Sequence, residues 1–390
     1  MARTTGTYDV SGSHEEPVRA FVPLGLPPVR PALVLAGELE RLHLDAVAAL
    51  RRLAVAGSMV PSAQWFLYGF VRKEALVSSQ IEGSQATFED VVFFEATRRS
   101  DRPGDVEEVC NYVDALTYAR SQLANPQGLP LCSRLLADAH ARLMRGVRGA
   151  EKQPGKIRTS QNWIGGSRPG TARLVPPPPE RVQDLLSDLD RWLHAPDSLP
   201  PLVRTGLAHV QFETIHPFLD GNGRIGRLLI TLLVEHWGLM NQPLLYLSLA
   251  FKRHRSEYYE RLSAVRTGGD WEGWTHFFLT CVIEAAEDGI QAATRIFRLL
   301  NDDRRRVLAH DVTTVAVLRL LEVLPDHPML TLALATKQLK TNKVTAMRAI
   351  QALEKAKVLY EITGKSRDRV YAYRKYLAVL SEDTEMLESP

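Results

Sequence analysis

Cysteine is scarce. The 390 residues hold three, Cys110, Cys132 and Cys281, and they are scattered. No disulfide framework and no paired-cysteine metal site follows from that spacing. The sequence has no His-Glu-x-x-His stretch. It also lacks an apolar run near the roughly 18 residues that suggest a membrane-spanning helix, and its start lacks a signal-peptide hydrophobic stretch. Charge is nearly balanced at +3, so global electrostatics names no partner. What remains is a cytoplasmic globular chain with no membrane partner. Its 45% hydrophobic and 24% charged residues are ordinary values. The length allows two or three domains. The first dozen residues, with Thr4, Thr5, Gly6, Ser11 and Gly12, are expected to fray.

One segment dominates the chemistry: His216-Pro217-Phe218-Leu219-Asp220-Gly221-Asn222-Gly223-Arg224-Ile225-Gly226-Arg227. A helix is expected to begin inside it, because Leu228, Leu229, Leu232 and Leu233 form an apolar stripe and Gly238 stands at a C-cap position. Gly221, Asn222 and Gly223 then present backbone N–H groups at a helix N-terminus, which suits phosphate. Arg224 and Arg227 share one face, and the arginine fork fits phosphate oxygens. His216 has an ordinary pKa near working pH and suits a general base. Asp220 is a single carboxylate of the kind that anchors Mg²⁺, which takes its other ligands from water and phosphates.

The segment resembles the Fic signature, His-x-Phe-x-Asp/Glu-Gly-Asn-Gly-Arg-x-x-Arg, at every fixed position. The resemblance implies transfer of AMP from ATP onto a Ser, Thr or Tyr hydroxyl of a protein, with the chain itself among the targets. By the same resemblance His216 is the catalytic base and Asp220 holds Mg²⁺. Gly221, Asn222, Gly223, Arg224, Ile225, Gly226 and Arg227 bind the nucleotide. A relative that phosphorylates has lysine where this chain has Gly223, which argues for adenylylation here. AMP removal from a modified protein would use the same residues.

Upstream, Ser78-Ser79-Gln80-Ile81-Glu82-Gly83 follows a helical pattern. Ser78 and Glu82 share a face and Gly83 can cap the end. This resembles the inhibitory helix of Fic proteins in its N-terminal position. The resemblance implies that Glu82 pairs with Arg227 and takes the place of the ATP γ-phosphate. The segment from Pro154 to Pro179 is punctuated by Gly155, Gly165, Gly166, Pro169 and Gly170 and reads as a β-hairpin. It looks like the Fic flap, which pairs with a target backbone by strand addition, with Ile164 and Gly165 at the contact. Beyond the motif helix, the resemblance assigns Arg253 and Tyr258 to the nucleotide base; Tyr259 is equally well read as aromatic packing. His140 and His209 sit in helical runs and read as core or boundary residues.

The C-terminal part is basic. Between Thr331 and Tyr376 eleven Lys and Arg face three acids. It begins after Asp302-Asp303, read as a linker end. Leu334 to Leu339 and Val344 to Lys355 read as helices flanking a Thr341-Asn342 turn, and a hairpin follows. Helix-turn-helix plus hairpin looks like a winged helix. Lys343 and Arg348 would lie on its recognition helix and Lys365, Arg367 and Arg369 on its wing, where DNA phosphates could meet them. Such modules also bind proteins.

The expected fold is therefore mainly α. Residues 1–104 form an N-terminal helical region with the inhibitory helix, 105–295 a Fic helical core with a β-hairpin flap, 303–380 a winged helix-turn-helix, and 381–390 a disordered tail. The leading reading is a self-inhibited adenylyltransferase using Mg²⁺ and ATP. The alternative is a DNA-binding regulator with a nucleotide-sensing Fic site. The sequence leaves open whether the chain acts alone or as a homodimer.

Overall fold

The computed structural model describes residues 3–12, 17–58, 64–309 and 313–385. An antiparallel hairpin comes first, β1 (Gly6–Gly12) and β2 (Pro17–Pro23). Helices follow: α1 (Glu38–Ser58), α2 (Gln64–Ile81), α3 (Phe88–Thr97), α4 (Pro103–Ala124) and α5 (Ser133–Leu143). After the long segment 144–178 come α6 (Pro179–His194), α7 (Pro201–Ile215) and α8 (Asn222–His236). Then come α9 (Ser248–Arg253), α10 (Arg255–Gly268) and α11 (Trp271–Leu308). The C-terminal part runs α12 (Val315–Val323), β3 (Met329–Thr331), α13 (Leu332–Leu339) and α14 (Lys343–Lys355). It ends with β4 (Tyr360–Glu361), β5 (Val370–Ala372) and α15 (Arg374–Ser381). The fold is mainly helical, with two small antiparallel sheets among the described residues. None of the described helices is long and apolar enough to cross a membrane.

Two compact units make up the chain, and neither is one continuous segment. The first collects 1–51, 111–241 and 250–285; the second collects 52–110, 242–249 and 286–390. The limits of these units fall at places other than 104, 295 and 303. Unit limits fall inside α1, α4, α9 and α11, helices that contribute to both.

In the first unit α7 is the central helix. Every residue from Leu202 to Phe212 is buried, the pattern of a helix enclosed on all sides. Gly206 permits close packing: a Cβ there would lie 2.9 Å from the Phe278 ring, and the Trp274 indole donates to the Gly206 carbonyl at 3.0 Å. α6 buries the expected stripe of Val182, Leu185, Leu186, Leu189, Trp192 and Leu193. The described residues at the chain start are tied down. β1 pairs with β2 from Gly6 opposite Pro23 to Gly12 opposite Pro17. The Tyr8 and Phe21 rings meet edge to face at 5.2 Å. Arg3 is buried and forks onto Glu272 through two 2.8 Å bonds. Those contacts offset the ordering entropy that otherwise leaves termini loose.

In the second unit α3 opens with a capping box, Thr87 and Asp90 each bonding the other's backbone N–H. The C-terminal part holds α12, α13 and α14 with a three-stranded sheet in the order β3-β5-β4. Asn342 caps α14 by accepting from Thr345 N–H at 2.9 Å. Two expectations fail here. Asp302-Asp303 is no linker: α11 runs through it, and Asp303 is fully buried, accepting from the Tyr373 hydroxyl at 2.7 Å. Nor is the tail disordered as far as it is described. The Glu382 carbonyl accepts from Lys73 at 2.7 Å and the Thr384 carbonyl accepts from Gln80 at 3.0 Å, both donors on α2. Two backbone acceptors met by buried donors hold a segment whose acidic composition alone suggests disorder. Residues 386–390 lie outside the described part.

Candidate functional site

The motif loop is closed by its own residues. His216 ends α7 in the left-handed region (φ 52°), and its N–H bonds back to Phe212 O. Its ring Nδ1 lies 3.3 Å from the Glu213 carbonyl. A carbonyl can only accept, so Nδ1 carries the proton and Nε2 is the nitrogen able to take one. The Asn222 side chain bonds both polar groups of one backbone residue, accepting from Phe218 N–H at 2.9 Å and donating to Phe218 O at 2.8 Å. Gly221, with φ 74°, turns the chain into α8, and no side chain caps that helix start. The first turn of α8 thus keeps N–H groups without intrahelical partners. Four residues that the resemblance assigns to the nucleotide are placed as follows. The Gly221 N–H is taken by Asp220 Oδ1 at 2.6 Å. Asn222 is buried, so its side chain closes the loop and only its backbone is left for a ligand. Ile225 is buried in the core, and Gly226 lies where a Cβ would collide with Glu213 at 2.2 Å. These two residues shape the site from behind.

Charge converges on the loop. Asp220 is half-buried and accepts from Lys152 at 3.0 Å, with Arg224 at 3.8 Å. Burial pushes its carboxyl up, but the Lys152 ammonium, the Gly221 N–H and Arg224 outweigh this and hold it below the usual range. Arg224 and Arg227 are each 2% exposed, and Arg224 also reaches the Met144 sulfur at 3.5 Å. Behind the loop sits His140, buried as its helical context suggests. Its Nδ1 accepts from Gly155 N–H at 2.8 Å, so Nε2 donates to the Asp220 carbonyl at 3.0 Å. Its ring stacks on Phe218 at 3.9 Å. Burial pushes the His140 pKa down to about 4, which keeps the ring neutral in this role. Among the described residues no cluster of three metal-ligating side chains exists.

The flap is a smaller hairpin than the sequence suggests. One residue pair, Ile164 and Leu174, forms an antiparallel bridge with bonds of 2.8 and 3.1 Å. Gly165 and Gly166 at positive φ and a 3₁₀ turn at Pro169–Thr171 make the connection. Trp163 is exposed beside it, and Asn162 donates to Phe218 O at 3.1 Å, which ties the flap to the loop. A cavity of about 260 Å³ lies against the flap. Its walls are Ile164, Gly165, Arg173 and Leu174 of the flap, Glu213 and Thr214 of the last turn of α7, and Tyr259, Leu262, Ser263 and Arg266 of α10.

Neither Arg253 nor Tyr258, which the resemblance assigns to the nucleotide base, lines this cavity. Tyr258 is 1% exposed; its hydroxyl donates to His209 Nε2 at 2.7 Å, while His209 Nδ1 donates to Gly226 O at 3.0 Å. Its ring stacks on Phe251 at 4.6 Å. Arg253 pairs with Glu284 at 2.7 Å. The neighbouring residue, Tyr259, reaches the cavity instead. Tyr259, Leu262 and Arg266 fall at i, i+3 and i+7 on α10, a one-face spacing that the sequence displays. His140, Lys152 and Arg158 are the other site-forming residues the motif does not disclose. Nothing local to their sequence marks them.

Loop, helix start and flap all lie within one family match. Residues 130–234 match the Fic/DOC family and residues 41–121 match the Fic/DOC family N-terminal region. These matches support a Fic domain within the chain. The chain is 31% identical over 176 residues to the protein adenylyltransferase Fic of Culex quinquefasciatus, covering 45% of this chain and 32% of that protein. It is 35% identical over 97 residues to a probable protein adenylyltransferase of Aquifex aeolicus, covering 25% of this chain and 28% of that one. The chain thus spans about a third of the length of these curated relatives. A solved Fic family protein from Desulfovibrio desulfuricans G20 shares the fold, with TM-score 0.57 at 21% identity over 87% of this chain and 97% of that one.

Proposed function

We propose that this protein transfers AMP from ATP to a Ser, Thr or Tyr hydroxyl of a protein. The observation that carries the reading is the join of α7 to α8. A histidine with Nε2 as its accepting nitrogen ends one helix, and an uncapped helix start opens the next six residues on. The relatives named as adenylyltransferases support it. The target hydroxyl oxygen attacks the α-phosphorus of ATP while its proton passes to His216 Nε2. The bond from that phosphorus to the bridging oxygen breaks, and pyrophosphate leaves. The first-turn N–H groups of α8, with Arg224 and Arg227, neutralise phosphate charge, which is the main catalytic lever in phosphoryl transfer. The flap cavity is large enough for a purine, with Tyr259 as an aromatic face and Arg266 and Ser263 as polar groups.

Asp220 is the residue that would hold Mg²⁺. Its ionised carboxylate, already met by a Lys152 ammonium, fits a cation there. With no cluster of protein ligands around it among the described residues, the remaining ligands fall to water and phosphate. The ion's chemistry is charge neutralisation on the leaving pyrophosphate.

For His216→Ala the expected loss of AMP transfer is roughly 10²–10⁴-fold, with ATP affinity retained. Full retained activity removes His216 as the base.

Self-inhibition belongs to the same reading. Ser78 is buried on the last turn of α2, and Glu82 follows that helix before Gly83 turns the chain at φ 98°. Glu82→Gly should raise AMP incorporation, self-modification included. Arg227→Ala in that background should remove the gain, if the guanidinium is what Glu82 withholds from the nucleotide. No gain on any hydroxyl, including the chain's own, sinks the inhibitory assignment. A fall in both transfer and AMP-protein hydrolysis reassigns Glu82 to AMP removal.

A second reading, contact with DNA, concerns the C-terminal part read as a winged helix. Lys343, Arg348, Lys365, Arg367 and Arg369 are all exposed there. Binding through phosphates would weaken steeply with salt. An anisotropy titration at low salt that detects no DNA binding leaves the module to protein contact.

A further inference from the structure

Arg158 lies in the segment between α5 and the flap and is 1% exposed. Its guanidinium donates to carbonyl oxygens alone among its hydrogen bonds. Nε reaches His216 O at 2.8 Å, Nη2 reaches Pro177 O and, at 3.4 Å, Ile215 O, and Nη1 reaches Ser160 O at 3.4 Å. Its backbone N–H adds a bond to Pro217 O at 2.9 Å. No carboxylate is among these acceptors.

A guanidinium buried without a paired anion is costly. The cost is met by position. Arg158 caps the C-terminus of α7, where the last carbonyls lack intrahelical partners and the helix dipole is negative. Burial still pushes its pKa down to about 10, against a smaller opposing pull from Glu180.

The acceptors fall into two groups. Ile215 O and His216 O belong to the peptide units around the proposed base. Ser160 O and Pro177 O stand just before and just after the flap, whose bridge joins Ile164 to Leu174. His216 itself sits in the left-handed region at φ 52°, a conformation that non-glycine residues keep only when held.

We propose that Arg158 is the positioning residue that fixes the backbone of His216 and the base of the flap to one another through a single planar fork. Lysine cannot do this, since an ammonium lacks the fixed fork geometry. The proposal rests on the transfer reading for its effect on rate, but its effect on the flap can be measured without any transfer.

The experiment compares wild type with Arg158→Lys, Arg158→Gln and Arg158→Ala. It records hydrogen exchange at the Ile164, Arg173 and Leu174 amides, melting temperature, ATP affinity and AMP transfer. In Arg158→Lys we expect faster exchange at the flap bridge and transfer lowered about 10²-fold, the scale of a misplaced reacting group. ATP affinity should stay within a few-fold. In Arg158→Ala added guanidinium ion should restore part of both the exchange protection and the rate, while methylammonium should not. If Arg158→Ala does not fold, Arg158→Lys and Arg158→Gln decide by flap exchange. Unchanged flap exchange in a folded Arg158→Lys or Arg158→Gln protein overturns the proposal. So does a melting-temperature drop that accounts for the whole rate loss and that guanidinium does not reverse. A wild type that transfers no AMP refutes the transfer reading and leaves the flap exchange as the test of Arg158.

Discussion

The motif loop and the flap differ in how much of their support is their own. The loop from His216 to Arg227 closes on itself, Asn222 on Phe218, Asp220 on Gly221, and His216 on Phe212 and Glu213, and His140, Lys152, Arg158 and Asn162 brace it from outside. The flap keeps one internal bridge pair and takes its support from elsewhere. Val175 O accepts from Phe21 N–H at 2.9 Å, Arg173 O accepts from Arg266, and the guanidinium of Arg158 bonds at both of its ends. A phosphate cradle has to be rigid before the nucleotide arrives, because preorganised donors act without reorganisation. A segment that accepts a target strand must leave its own edge open. The contrast between the two supports fits the two tasks proposed for them.

The largest expected effect breaks the loop from inside. Asn222→Ala strands the buried N–H of Phe218, at about 1–3 kcal/mol for an unsatisfied group, leaves the Phe218 carbonyl with the Asn162 bond, and frees the turn that starts α8. We expect AMP transfer to fall about 10²-fold, the scale of a misplaced reacting group, with a lower melting temperature. Transfer and melting temperature both at wild-type values would show that the loop is held by something other than Asn222.

A smaller effect separates the cavity wall from its backing. Tyr259→Ala should raise the KM for ATP roughly tenfold, the scale of one lost stacking contact on a base, with little change in stability. Tyr258→Phe should do the reverse. It removes the hydroxyl that donates to His209 Nε2, costs about 1–3 kcal/mol of stability and leaves KM nearly unchanged. Kinetics and melting curves of both variants decide it. If Tyr258→Phe raises KM and Tyr259→Ala does not, Tyr258 returns to the nucleotide base, where the family resemblance puts it.

Much of the site is legible in the sequence because its geometry is short-range. The twelve-residue signature carries its own closing bonds. The stripe of α6 and the turn at Asn342 follow from periodicity and capping chemistry that neighbours in sequence satisfy. Composition misleads where it stands in for contacts. Asp302-Asp303 reads as polar punctuation, yet Asp303 is the buried partner of Tyr373, seventy residues away. The acidic tail reads as disorder, yet its carbonyls meet Lys73 and Gln80, more than three hundred residues upstream.

The sequence by itself determined a histidine, a carboxylate, a helix start and two arginines in fixed order, since each depends on residues within two turns of chain. Only the tertiary structure decided which of Tyr258 and Tyr259 meets the cavity. Consecutive helical residues point about 100° apart, and the packing of α10 against His209, Phe251 and Trp274 chooses the one that turns inward. It also decided the place of Arg158, a cation with no local signature. Its site exists only where the end of α7 and the two ends of the flap bring carbonyls together.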